Sequence, residues 1–295
     1  MSITIEPTAA DLEEAMTESE TTSTASAAAT STTGIADRIA AKGRKSEDGE
    51  ATTSVTKALQ LLDAFRGSVG ALGVSELARR SGLPKSTAFR LLATLESSGY
   101  VERVGRAYQL AWRLFELGNG VSACRPKGLR DIATPFLSEL HSRTRWVTQL
   151  AVLDGGDVIY LEKIRGHEAV RIPSNVGGRV PANCSGLGKA MLAFSDSETI
   201  REVVEAGLAR RTPYSIVDPG RFVNELRRIR NTGVSVDREE VALGLTCVAA
   251  PILFDGRAIA AVSVSGPSAR FNHRAMAAEI QRIAAEISKK YAAGR

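Results

Sequence analysis

The stretch Val74-Ser-Glu-Leu-Ala-Arg-Arg-Ser-Gly-Leu-Pro-Lys-Ser-Thr-Ala-Phe-Arg-Leu-Leu92 decides the first half of the molecule. Ser75 is a good N-cap and predicts a short helix over Glu76–Ser81, with Leu77 and Ala78 facing inward. Gly82 is the turn. Pro84 opens the next helix, because a fixed φ and a missing N–H suit the first turn. Ala88, Leu91, Leu92 and Leu95 form its apolar stripe, and Gly99 ends it. Before this stretch, Val55, Ala58, Leu59, Leu62 and Phe65 recur at helical spacing, with Ser54 as N-cap and Gly67–Gly73 as the break. After it, Tyr100-Val-Glu-Arg-Val and Ala107-Tyr-Gln-Leu alternate around Gly105-Arg106, which predicts a hairpin.

Helix, helix, turn, helix and hairpin within about 60 residues make a winged helix-turn-helix. Such a module reads DNA or, less commonly, binds protein. The first turn of its third helix carries Lys85, Ser86, Thr87 and Arg90 opposite the leucine stripe. Hydroxyls bond phosphates or base edges, and arginine bonds guanine bidentately, so these four are the expected DNA contacts. Arg103 and Arg106 on the hairpin are expected at phosphates or the minor groove. The alternative for all six is a solvated basic face.

The rest of the chain follows a different rhythm. Trp112–Val121 predicts a short helix, and residues 112–125 are expected to link the domains and to contact a second copy through Trp112 and Phe115. Pro126 marks the next boundary, followed by an amphipathic helix from Leu129 to Arg143. The period then becomes two. Thr148–Leu153 and Val158–Lys163 flank Asp154-Gly-Gly-Asp157, and Leu245–Leu253 and Ile259–Ser265 flank Phe254-Asp-Gly-Arg257, two hairpin signals. Ala169–Pro173 and Val234–Asp237 read as further strands; Ser185–Ala193, Asp196–Ala206, Arg221–Thr232 and Arg274–Tyr291 read as helices. Strand pairs separated by helices without strict alternation predict an α+β fold with a mainly antiparallel sheet. The expected domains are a tail over 1–51, the winged helix over 52–111, the linker, and a second domain over 126–295.

Composition agrees with two soluble domains: 295 residues, 43% hydrophobic and 24% charged. The tail is rich in Ser, Thr and Ala and lacks a core-forming pattern, which predicts disorder. Its first 50 residues hold ten acids and four bases, leaving 34 bases against 23 acids elsewhere. A basic body suits an acidic partner such as nucleic acid. The three cysteines, Cys124, Cys184 and Cys247, form no Cys-x-x-Cys pair and no disulfide framework, which points to a reducing cytoplasm. The longest apolar run, Val248–Phe254, contains Pro251 and is too short to span a membrane. The first twenty residues carry six acids and no Lys or Arg, so no secretory signal is expected.

Two further stretches carry a family resemblance, Gly177-Gly-Arg-Val-Pro-Ala-Asn-Cys-Ser-Gly-Leu-Gly-Lys-Ala-Met-Leu-Ala193 and Gly244-Leu-Thr-Cys-Val-Ala-Ala-Pro-Ile-Leu-Phe-Asp-Gly-Arg-Ala-Ile-Ala-Ala-Val-Ser-Val-Ser-Gly-Pro267. With the winged helix they resemble the IclR family of bacterial transcription regulators, over Thr53 to about Tyr291. The resemblance implies a C-terminal domain like a GAF domain that binds a small effector. It also implies dimers, or tetramers built from dimers, that repress or activate; repression is the expected mode. Many members carry His where this chain has Asn183, so a role for that histidine does not transfer.

The resemblance implies a pocket lined by Gly186, Leu187, Asp237, Leu245, Cys247, Ser263 and Ser265, with Ala169, Ile172 and Val180 as further apolar walls. Backbone N–H groups at Gly186 and Leu187 with serine hydroxyls suit an anion, so the expected effector is a small organic acid, aliphatic or aromatic. Asp237 opposes an anion and must be protonated or bonded to a ligand hydroxyl. Ser185-Gly-Leu-Gly-Lys189 is not a phosphate loop: a glycine is missing five residues before Gly188, and Ala190 stands where Ser or Thr is needed. Close packing of a helix is the competing account of its glycines. Cys247 fits a small buried strand residue better than a nucleophile. No spacing of His, Cys and carboxylates suggests a metal, and no cofactor is expected. An enzyme with a DNA-targeting module, or a protein-binding module alone, remain the competing functions.

Overall fold

The computed structural model describes residues 53–68, 70–124, 127–165 and 174–294. The expected tail, the strand over 169–173 and the pocket residues Ala169 and Ile172 lie outside them. The described residues form two units, one reaching residue 124 and the other starting at Lys127.

The first unit contains α1 (Ser54–Asp63), β1 (Leu72–Gly73), α2 (Val74–Ser81), α3 (Lys85–Ser97), β2 (Val101–Val104), β3 (Ala107–Leu110) and α4 (Trp112–Asn119). Leu61, Phe65, Leu77, Leu92, Val101 and Tyr108 close one core between the helices and the hairpin. Gly82 ends α2 at φ +68°, a left-handed conformation that glycine adopts without Cβ strain.

The helix starts differ from the sequence expectations by a residue or two. Thr53, not Ser54, caps α1: its Oγ1 accepts the N–H of Thr56. Ser75 caps nothing. Leu72 and Gly73 pair with Tyr108 and Ala107, and this third strand delivers the chain directly into α2 at Val74. Pro84 sits just before α3 rather than in its first turn. Helix α4 ends at Asn119, short of Val121. It is held to its own unit by Arg113, whose guanidinium donates to the Ser98 carbonyl and lies 5.6 Å from the centre of the Tyr100 ring.

The second unit contains α5 (Leu129–Thr144), β4 (Val147–Asp154), β5 (Asp157–Ile164), β6 (Arg179–Pro181), a 3₁₀ turn (Ala182–Cys184), α6 (Gly186–Leu192), α7 (Ser197–Glu205), α8 (Pro219–Thr232), β7 (Ser235–Arg238), β8 (Leu245–Phe254), β9 (Arg257–Pro267) and α9 (His273–Ala293). Its six strands form one sheet in the order β6-β5-β4-β9-β8-β7, every pair antiparallel. Both expected hairpins form, closing at Asp154↔Asp157 and Phe254↔Arg257. The fold is therefore α+β, a winged helix-turn-helix followed by an antiparallel-sheet domain.

Strand parity gives the sheet two faces. Ala151, Ala249 and Ala261 face a core with Leu187, Met191 and Phe222. Their chain neighbours Leu150, Val248, Ala250 and Val262 are also buried and point the other way, toward α5 and α9. Helix α8 starts two residues before the expected Arg221 because Pro219 takes its first turn and the Asp218 carboxylate accepts the Arg221 N–H at 2.7 Å.

Candidate functional site

Two regions hold the residues singled out above. The first is the solvent face of α3. Ala88, Leu91, Leu92 and Leu95 are buried, which rotates Lys85, Ser86 and Arg90 outward as exposed residues, with Thr87 half-buried at the edge. Among the described residues, no ion pair engages Lys85 or Arg90. The arginines of α2 differ: Arg79 and Arg80 both bond Glu76 and hold its carboxyl down to about 2. Among the described cations of α2, α3 and the hairpin, those outside an ion pair are therefore on α3 and the hairpin. Arg106 is exposed in the β2–β3 turn. Arg103 is exposed too, but its Nε donates to the Gly105 carbonyl at 3.2 Å and its guanidinium lies 5.8 Å from the Tyr108 ring centre. It braces the hairpin as well as charging it.

The second region is a buried cavity on the α6 side of the sheet. Cross-strand register builds it. Asp237 pairs with Cys247 and Cys247 with Ser265, so these three form one row across β7, β8 and β9. Lys163, Gln149, Ser263 and Ala249 form the next row. The start of α6 closes over them.

Five expected residues line the cavity: Leu187, Asp237, Leu245, Cys247 and Ser265. Three described ones do not. Val180 pairs with Val158 and packs in the core. Gly186 lies against the cavity residues, since a Cβ there would sit 3.3 Å from the Cys247 Sγ and 3.6 Å from the Asp237 Cβ. Ser263 lies one row further on, where its hydroxyl faces the Gln149 Oε1 at 3.4 Å.

Among the described residues, five others line it: Gln149, Tyr160, Ser174, Ser185 and Val241. Gln149 ties the wall together. Its Nε2 donates to Ser174 Oγ at 2.5 Å, and its Oε1 lies 3.4 Å from the hydroxyls of both Ser263 and Ser265. Lys163, the cross-strand neighbour of Gln149, holds Ser174 as well, with its Nζ donating to the Ser174 carbonyl at 2.6 Å. Burial raises the Tyr160 phenol pKa, against a hydrogen bond with Ser185 that lowers it. Among the described lining residues none is Lys or Arg. The space left holds about one water molecule.

Charge inside the site is unusual. Burial and the neighbouring Glu240 carboxylate push Asp237 up to about 7, against a pull downward from Lys189. Near neutrality Asp237 exists in both forms and can donate or accept. Burial pushes the Cys247 thiol up to about 12, so it stays protonated. A thiol is a weak nucleophile in that state. Among the described residues, no three His, Cys, Asp or Glu side chains are placed to hold a metal ion.

Behind the cavity, Lys189 is fully buried. Its Nζ donates to the Val236 carbonyl at 2.9 Å, ion-pairs with Glu240 Oε1 and lies 3.9 Å from Glu225. This lysine ties α6 to the β7–β8 connection. The glycines of the same motif serve packing: a Cβ on Gly188 would lie 2.2 Å from the Ala182 carbonyl. Asn183 clamps the 209–216 loop, donating to the carbonyls of Ala209 and Ile216 and accepting the Ala209 N–H.

Comparisons with known proteins agree with this architecture. The IclR helix-turn-helix domain matches residues 54–105, and the bacterial transcriptional regulator IclR C-terminal domain matches 121–289. The transcriptional repressor IclR of Escherichia coli (strain K12) is 35% identical over 221 residues, 74% of this chain and 81% of that protein. The acetate operon repressor of Salmonella typhimurium is 33% identical, over 82% of this chain and 91% of that protein. Among solved structures, an IclR homologue from Microbacterium hydrocarbonoxydans complexed with 4-hydroxybenzoate is 30% identical. It superposes with a TM-score of 0.75 over 82% of this chain and all of that one. The winged helix, the antiparallel sheet domain and these matches together place the chain in the IclR family of DNA-binding bacterial transcription regulators.

Proposed function

We propose that this protein is a cytoplasmic, homodimeric repressor that binds double-stranded operator DNA and changes its affinity when a small organic acid enters the cavity. The observation that carries the effector reading is the buried polar row Asp237–Cys247–Ser265, closed over by Leu187 and faced by Gln149. So many polar groups converging on one cavity suit a ligand that exchanges for their partners within the protein. The donors are neutral: the hydroxyls of Ser174, Ser185, Ser265 and Tyr160 and the Gln149 amide. Such a set accepts a carboxylate when Asp237 is protonated. Ionised, Asp237 accepts a ligand hydroxyl instead. Both uses suit a hydroxy acid, and the relative solved with 4-hydroxybenzoate supports that class. Because the cavity holds about one water, an acid enters only if the lining moves. Binding is thereby coupled to a change of shape, which a ligand-controlled switch requires.

One winged helix reads only a few base pairs, so a symmetric pair is needed, with half-sites about 34 Å apart or a multiple of that. The exposed Trp112 and Phe115, edge to face at 6.1 Å on α4, are the proposed contact between copies. A thermal-shift screen of organic acids, neutral sugars and amines, followed by calorimetry, tests the effector class. Stabilisation by acids supports it; stabilisation by sugars or amines alone overturns it.

A further inference from the structure

The solvent face of α3 holds one residue that its charge does not explain. Phe89 is 52% exposed, while the buried stripe Ala88, Leu91, Leu92 and Leu95 lies on the other side of the helix. Helical spacing puts Phe89 one turn beyond Lys85 and Ser86 and one turn before Ala93. The face therefore presents a phenyl ring on one flank, the Arg90 guanidinium on the other, and the small side chains of Ser86 and Ala93 between them. Among the described residues, no aromatic ring pairs with Phe89.

That layout matches the chemistry of a major groove. The cations answer the phosphates, and the small central residues let the helix approach base edges closely. The groove offers apolar atoms at one kind of base only, the C5 methyl of thymine. We propose that Phe89 is a specificity-determining residue that packs its ring on a thymine methyl in the operator. The proposal rests on the DNA-binding function stated above and adds to it which base is read, and how.

The test uses the full-length protein and a duplex enriched by repeated binding from a random-sequence pool. Each thymine is replaced in turn by deoxyuridine, which removes the methyl and keeps every hydrogen-bonding group. At one position in each half-site the wild type should lose about fourfold in affinity per methyl. Phe89→Ala should bind the thymine duplex as weakly as the wild type binds the deoxyuridine duplex, and should not distinguish the two. Phe89→Leu should keep part of the discrimination. Melting curves confirm that both variants fold, as expected at an exposed helix position. A deoxyuridine penalty that survives in Phe89→Ala, or no penalty at any position in the wild type, overturns the assignment. If the wild type enriches no sequence from the pool, the DNA-binding function itself fails.

Discussion

The Asp237 carboxylate accepts the backbone N–H of Glu240 at 2.7 Å while the Glu240 side chain ion-pairs with the buried Lys189. One short turn thus joins the cavity wall to the ion pair behind it. Three carboxyl groups, those of Asp237, Glu240 and Glu225, share the influence of one ammonium, and Asp237 is the one that faces the cavity.

This arrangement predicts how stability varies with pH. The folded-state pKa of Asp237 is raised to about 7 from an ordinary 3.8, so the folded protein holds this proton more tightly than the unfolded chain. The resulting stability is present at low pH and is lost as pH rises toward about 7. Glu240 is raised as well, chiefly by burial, and acts in the same direction. Asp237→Asn removes one of these protons. Denaturant melts from pH 5 to 8 should show wild-type stability falling relative to Asp237→Asn, with the difference flattening above about 7. A wild type that gains on the variant as pH rises contradicts the assignment.

Lys189→Met should be strongly destabilising, by about 3–5 kcal/mol, because it strands the Glu240 carboxylate in the interior. The Glu240 Oε2 already lacks a hydrogen-bond partner among the described residues, so little local compensation exists. The double variant Lys189→Met/Glu240→Leu should recover part of the loss. Urea denaturation of the three proteins checks this; a loss no larger than that of a surface lysine would mean that the ion pair does not hold α6.

Gly188→Ala should destabilise by about 1–3 kcal/mol, the usual range for overpacking. The new methyl would meet the backbone of Ala182, which cannot rotate away as a side chain would. Normal stability of this variant would show that α6 does not sit tightly on the 3₁₀ turn.

Arg90→Ala and Lys85→Ala should fold as the wild type does and lose about 1–3 kcal/mol of DNA affinity for a base contact, less for a phosphate contact. Their salt dependence separates the two, since losing a phosphate contact flattens the slope of affinity against salt. Unchanged binding by both variants in a gel-shift assay would remove α3 as the recognition surface.

Much of this architecture is legible in the sequence, for local reasons. The hairpins follow from Asp-Gly-Gly-Asp and Phe-Asp-Gly-Arg turns, and the helices of the first unit from the leucine spacing. What escapes is set by distant partners. β1 is two residues long and exists only because β3 pairs with it. The α1 cap falls on Thr53, one residue before the expected serine, because either hydroxyl suits the role and only geometry chooses. Within the cavity, Leu187, Asp237, Leu245, Cys247 and Ser265 come from family resemblance and strand parity. Gln149 carried a usable signal: a long polar side chain within the mostly apolar strand Val147–Asp154, whose burial demands partners. Ser174 and Tyr160 carried none, since their partners in the cavity come from strands and a helix distant in sequence. Ser263 was displaced by one residue pair, a distance that alternation does not resolve.

Coupling between the cavity and the DNA-binding unit underlies the proposed switch. It is tested by titrating an acid that stabilises the wild type into a complex of the protein with its enriched duplex, read by fluorescence anisotropy. Wild type and Ser265→Ala are compared side by side. The acid should shift the wild-type dissociation constant by about 5–150-fold, the common range of coupling between sites. Ser265→Ala should bind the duplex as the wild type does but need much more acid for the same shift. An acid that binds the wild type in calorimetry yet leaves its DNA affinity unchanged would rule out coupling between the cavity and the DNA-binding unit.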